Sequence, residues 1–186
     1  TARAGRRGVA GCAVIARIAR APTPARLGFL LGPRVNAGGR IGAPDLGARL
    51  LATADPHEAE ALAQRLDALN TERRDIENRV RDQALAQAEA RGIDAPLVWA
   101  AGEGWHPGVV GIVAARLKEA TNRPAVVIGL ERDEGRGAGR SVGGIDLGAS
   151  IQRLAAEGLR TKGGGHRGAA GLTGARARPE GARARP

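Results

Sequence analysis

From Asp55 to Gly92 the chain reads as one uninterrupted helix, and no other segment restricts the fold so strongly. Asp55, Pro56 and Glu58 supply an N-cap, a proline at the first helical position and the acid of a capping box, and Gly92 stops the run. At 1.5 Å per residue such a helix is roughly 54 Å long. Large apolar residues fall at Leu62, Leu66, Leu69, Ile76, Val80 and, one step off phase, Leu85, with Arg73 where another was due. That is heptad spacing with a single narrow stripe. A stripe so narrow cannot bury the whole helix in one core. The spacing therefore predicts either a coiled-coil strand or a connector, and the strong elements of different character on both sides favour the connector.

Downstream, PLVWAA (96–101) reads as a buried strand, Val109 to Ala120 as a helix and PAVVIGL (124–130) as the next strand, which together make a βαβ unit. A charged turn, ERDEGRG (131–137), leads to a short strand near Arg140 to Val142. A helix after Asp146, a glycine loop at 163–165 and an ending strand AAGLT follow. The apolar fraction of 42% is almost wholly Ala, Val, Leu and Ile, with Phe29, Trp99 and Trp105 the only aromatics. Such a core suits a layered α/β domain. Residues 1–26 read as a weakly ordered basic segment, and 174–186, with a near-repeat of GARARP, as a disordered basic tail. A chain that opens on Thr1 rather than Met reads as a fragment.

The net charge is +10, from 29 basic and 19 acidic residues, and Lys118 and Lys162 are the only lysines. Arginine's planar fork can hold a phosphate by two hydrogen bonds, so the bias favours phosphate partners, although a GC-rich genome yields the same bias. The charge is uneven: +8 over residues 1–50, −4 over 51–95, +1 over 96–160 and +5 over 161–186. Basic character therefore gathers at the ends and around glycine-rich stretches, not along the middle helix. The lone Cys12 excludes a disulfide framework and a cysteine-based zinc site, and fits a reducing cytoplasm. No apolar run approaches the roughly 18 residues of a membrane span, and no signal-peptide layout stands at the start.

Four motifs point to an anionic ligand. In GPRVNAGGRIG (32–42), Arg34 and Arg40 flank Asn36 and a Gly38-Gly39 pair, a set able to reach phosphate and base edges, or else a plain turn with exposed arginines. In GEGWHPGVVGIVAAR (102–116), Pro107 sets a turn before a helix whose first amides can face an anion. There Trp105 offers a stacking face and His106 a phosphate contact, or both seal the helix start. In GRGAGRSV (135–142), Arg140 and Ser141 form a phosphate-holding pair, and the glycines do not match a dinucleotide fingerprint. In KGGGHRGAAG (162–171), Gly163, Gly164 and Gly165 imply a backbone shape that side chains would block, an anion nest with Lys162 and His166 at its rim.

A two-metal phosphodiesterase needs several Asp, Glu or His side chains converging within a few ångströms. Of the eight aspartates, Asp55, Asp67, Asp75, Asp82 and Asp94 cap, line or follow the long helix, Asp45 sits in a loop, Asp133 in a charged turn, and Asp146 caps a helix. No metal site and no catalytic residue is expected in this stretch.

Taken in order, GPRVNAGGR, the long helix, GWHPGVVGIVAAR, GAGRSV and GGGH-x-x-AAG resemble the RecJ family of bacterial single-strand-specific DNA exonucleases over about residues 27–173. The match is to that family's C-terminal part. It implies an α/β fold: a small mixed-sheet DHHA1-like domain with βαβ units (93–173), preceded by a long connecting helix (55–92) and a remnant of the DHH phosphoesterase domain (27–54). The resemblance further implies a cytoplasmic 5′ to 3′ exonuclease of DNA repair and recombination, using Mn²⁺ or Mg²⁺ held by an Asp-His-His-bearing domain expected before residue 27. The fragment itself would then bind single-stranded DNA without a cofactor, and would not cut it alone. By the same resemblance Arg34, Asn36 and Arg40 approach the DNA, Arg140 holds a 5′ phosphate, and Gly163 to His166 meet the backbone. The family usually has serine at Ala138 and Ala-Met where this chain has Arg167-Gly168. A stand-alone binding or assembly module that dimerises through the leucine stripe is the alternative, followed by another DHHA1 protein such as a nano-RNA phosphatase.

Overall fold

The computed structural model describes residues 23–157 and 161–175, and readings made for other residues lie outside that set. Two compact units divide inside the long helix, between Ile76 and Glu77.

In the first unit, a helical lead-in (Pro24–Arg26, then the wider turn Leu27–Leu31) opens into α1 (Gly32–Val35), α2 (Gly38–Ile41) and α3 (Leu46–Ala52). The first part of α4 (Pro56–Arg91) closes the unit. Leu31, Leu50, Ala59, Leu62, Ala63 and Leu66 form its core, with Val35 and Leu46 packed against them. Each fully buried leucine contributes roughly 1.5–3 kcal/mol. Of the leucine stripe, Leu62 and Leu66 are buried in this core, so at those positions it packs within the chain.

The helix start is as expected in place but not in detail. The Asp55 carboxylate accepts from the His57 amide at 2.9 Å, an N-cap bond. Glu58 does not close the capping box, because its carboxylate accepts from the Thr53 hydroxyl at 2.6 Å and from Arg49 at 3.0 Å. Those hydrogen bonds, Thr53 first, hold the Glu58 carboxyl below its usual range. The helix is also wider on its apolar side than its leucines suggest, since Ala59, Ala63, Ala84 and Ala88 are buried.

The second unit is a five-stranded mixed sheet in the order β1-β2-β3-β5-β4. Strand β1 (Val98–Glu103), helix α5 (Pro107–Thr121) and β2 (Ala125–Glu131) make the expected parallel βαβ unit. β3 (Glu134–Arg140), β4 (Thr161–His166) and β5 (Ala169–Ala175) add antiparallel pairings. α5 lies on β2 and β3 and buries Val109, Val110, Val113, Ala114 and Leu117. Helix α6 (Leu147–Ala156), capped by Asp146 at 2.9 Å from the Ala149 amide, lies on β4 and β5 through Leu147 and Ile151. The last part of α4 guards the outer edge of β1: the Gln87 amide donates to Ala101 O at 2.9 Å and accepts from Ala101 N at 3.2 Å, as a neighbouring strand would.

Three sequence expectations need correction here. The strand expected near Arg140 to Val142 lies earlier, over Glu134–Arg140, with Ser141 and Val142 outside it, and the turn before it shrinks to Arg132-Asp133, with Arg132 at φ 49°. The glycine loop at 163–165 is strand β4, in register with β5 from Thr161↔Gly174 to His166↔Ala169. The motif around Asn36, read as a phosphate-reaching set or else a plain turn, folds as two short helices. In each case glycines chosen for close packing read as breakers. A Cβ at Gly139 would lie 2.5 Å from Leu147 Cδ2, one at Gly163 2.6 Å from Ile151 Cγ2, and one at Gly38 2.8 Å from Ala43 O.

Candidate nucleic-acid interface

Register across β3, β5 and β4 gathers one group of the expected residues. Arg140 pairs with Ala169, and Ala169 pairs with His166, so Arg140 and His166 stand in one row at the same end of the sheet. Ser141, the next residue, ties that row down: its amide donates to Gly168 O at 2.9 Å, and its hydroxyl donates to Ile145 O at 3.0 Å. The start of α6 reaches the same hairpin, where the Leu147 amide donates to Arg167 O at 3.2 Å. Gly148 is held so close that a Cβ would sit 2.9 Å from the Gly165 carbonyl.

The side chains in this row suit an anion. Arg140 is half-buried and its Nη1 donates to Gly139 O at 2.8 Å, which fixes the guanidinium near the backbone. No carboxylate pairs with it among the described residues, whereas Arg34, Arg49, Arg81, Arg116 and Arg136 all have one. The exposed His166 accepts from the Gly168 amide through Nδ1 at 3.3 Å, so a proton on the neutral ring sits on Nε2. Arg167, exposed in the hairpin turn, follows His166 directly; sequence reasoning noticed it only as a departure from a family pattern, although an arginine following the GGGH histidine was itself a signal.

Other expected residues lie elsewhere. Lys162 is exposed and four residues along β4 from His166, about 13 Å at the usual strand rise. The nest reading of Gly163 to Gly165 gives way to a strand whose outer edge is exposed, because the paired extended backbone has no room for the alternating turn conformation a nest needs. Trp105 is 6% exposed, its indole packs against Gly102 and its Nε1 donates to Gln83 at 2.8 Å. It seals the sheet and offers no open face for stacking. His106 caps α5, accepting from the Gly108 amide at 3.0 Å, and borders a cleft of about 190 Å³ shared with Glu131 and Arg136. In the first unit, Arg34 is ion-paired to Asp67 at 2.7 Å and donates to Leu30 O, while Asn36 and Arg40 are exposed.

Among the described residues, no three His, Cys, Asp or Glu side chains converge on a point that could hold a metal ion. No described helix is long and apolar enough to cross a membrane.

Comparison with known proteins gives this geometry a lineage. Residues 94–183 match the DHHA1 domain family. The single-stranded-DNA-specific exonuclease RecJ of Bacillus subtilis is 40% identical over 149 residues, 79% of this chain and 19% of the relative. The Escherichia coli enzyme of the same description is 41% identical over 155 residues, 79% and 27% of the two chains. A crystal structure of RecJ with Mg²⁺ from Thermus thermophilus superposes with a TM-score of 0.79 at 33% identity, covering 90% of this chain and 26% of that one. Exonuclease RecJ bound to manganese superposes at 0.76 and 32% identity, covering 93% and 43%. The chain thus spans about a fifth to a quarter of the length of the curated relatives it matches.

Proposed function

Since the chain belongs to the RecJ family through the part that carries the DHHA1 domain, we propose that it grips single-stranded DNA by the sugar-phosphate backbone and holds a 5′-terminal phosphate at Arg140. The observation that carries this reading is the single row formed by Arg140, Ala169 and His166 at one end of the sheet. Arg140 supplies the planar fork for two phosphate oxygens. His166 Nε2 and Arg167 supply donors for the next phosphate, and Ser141 fixes the β3 end against the hairpin. The exposed backbone of β4 leaves space for the strand to approach, since nothing lies within 4 Å of where a Gly164 Cβ would be.

Hydrolysis by RecJ relatives, two of whose solved structures are described with Mg²⁺ or Mn²⁺, is not assigned to residues here. The described side chains do not offer a metal donor set, so no step of the proposal passes through one. The role proposed is recognition: positioning the 5′ end of a strand for the reaction after which the RecJ relatives are named.

Fluorescence anisotropy with 5′-phosphorylated and 5′-hydroxyl oligothymidylate tests the reading. Arg140→Ala is expected to weaken binding of the phosphorylated strand by the worth of its charge-assisted hydrogen bonds, about 1.5–3 kcal/mol or roughly ten- to a hundredfold, and that of the hydroxyl strand far less. Equal losses on both strands overturn the end-recognition role.

A further inference from the structure

We infer that Gly111, in the middle of α5, is a positioning residue that seats the Arg140 guanidinium, an inference that rests on the phosphate reading above. Gly111 is the fifth residue of a fifteen-residue helix, flanked by buried Val109, Val110 and Val113. Glycine there loosens the helix relative to alanine, so local stability alone does not favour it. Packing does. A Cβ added at Gly111 would lie 3.1 Å from Arg140 Nη2, 3.8 Å from Arg140 Cζ and 3.5 Å from Ala138 Cβ. The guanidinium therefore rests directly on the backbone of α5, in a recess that Gly111 keeps open, with Ala138 of β3 beside it.

A methyl group at position 111 crowds only the guanidinium: Nη2 at 3.1 Å must give way, whereas Ala138 Cβ at 3.5 Å is in ordinary contact. The Ala138 Cβ is fixed to strand β3, paired on both sides, while Arg140 ends in a flexible side chain. A shift of a few tenths of an ångström turns the fork away from the Gly139 carbonyl that holds it at 2.8 Å. Two-point contact with a phosphate depends on that orientation, so the methyl group weakens recognition of the anion without touching it.

The test uses the full chain, with Gly111→Ala, Gly111→Ser and Arg140→Ala measured on 5′-phosphorylated and 5′-hydroxyl oligothymidylate, and with thermal unfolding followed by circular dichroism. Gly111→Ala is expected to lower the affinity ratio between the two strands by about threefold or more, while leaving the unfolding midpoint equal or about 2 °C higher, as helix propensity dictates. A purely structural role moves the midpoint and not the ratio. If Arg140→Ala abolishes the ratio and both Gly111 variants leave it unchanged, the role of Gly111 is overturned and the phosphate reading stands. If Arg140→Ala also leaves the ratio unchanged, or the unaltered chain shows no preference, the phosphate reading falls and takes the Gly111 inference with it. Gly111→Ser carries the same test should the alanine variant fail to fold.

Discussion

Replacing the three consecutive glycines of β4 one at a time with alanine separates a packed strand from an anion-cradling loop. At Gly165, a Cβ would run into the Ala169 carbonyl oxygen and lie 2.5 Å from Ala170 Cα. Both are backbone atoms of the partner strand, so relief requires the hairpin to open. At Gly163 the Cβ would lie 2.6 Å from Ile151 Cγ2 and 2.9 Å from Gly171 O, so buried Ile151 must shift as well. At Gly164 nothing lies within 4 Å. Overpacking of this kind costs roughly 1–3 kcal/mol, more where only backbone can yield, whereas glycine to alanine in an open strand gains about 0.5 kcal/mol from a stiffer unfolded chain. Urea denaturation should therefore rank Gly165→Ala as the most harmful, at about 3 kcal/mol, Gly163→Ala next at about 2 kcal/mol, and Gly164→Ala as neutral or slightly stabilising. Similar losses at all three positions, or the greatest loss at Gly164, would refute the strand register and favour a loop held by glycine-only backbone angles.

Three further outcomes are expected. Gln87→Ala strips the Ala101 N–H and C=O of their side-chain partner and should cost about 2 kcal/mol by denaturation, two hydrogen bonds' worth, with Gln87→Glu losing about half of that through the missing donor. Because hydrogen bonds from Thr53 and Arg49 depress the Glu58 pKa, its contribution to stability is complete above the ordinary glutamate range and fades as the pH falls through that lowered value. Acid titration of unfolding should show this step, and Thr53→Ala should shrink it. Ala138→Ser, which adds a hydroxyl beside the Arg140 recess, should strengthen binding of 5′-phosphorylated strands by roughly two- to tenfold, a neutral hydrogen bond's worth, read by anisotropy.

The sequence carried the long helix well because its signals are local: Asp55 and Pro56 at one end, Gly92 at the other, and apolar residues at helical spacing between. The βαβ unit was legible for the same reason, since β1 and β2 open on the apolar runs VWAA and AVVI. β3 and β4 were not. EGRGAGR and TKGGGH have almost no strand-favouring side chains, and their glycines report packing against Leu147, Ile151 and Ala170 on neighbouring elements, which no local pattern of side chains announces. The candidate site was legible as a set of residue types but not as a place. Arg140, Ser141 and His166 converge only through the register of β3, β5 and β4, and Gly111 joins them through the packing of α5. Trp105 shows the opposite failure, an aromatic beside a helix start whose ring is spent on Gly102 and Gln83.

The central claim is that one end of the sheet, and no other part of the second unit, meets the DNA 5′ end. Amide chemical-shift mapping of the isotopically labelled chain, titrated with a 5′-phosphorylated pentathymidylate, tests it most directly. The account predicts the largest shifts at Arg140, Ser141, Gly111, His166, Arg167 and Gly168, all reduced by Arg140→Ala. Shifts centred instead on Gly104 to Pro107 and Gly129 to Glu131, around the cleft beside His106, would contradict it.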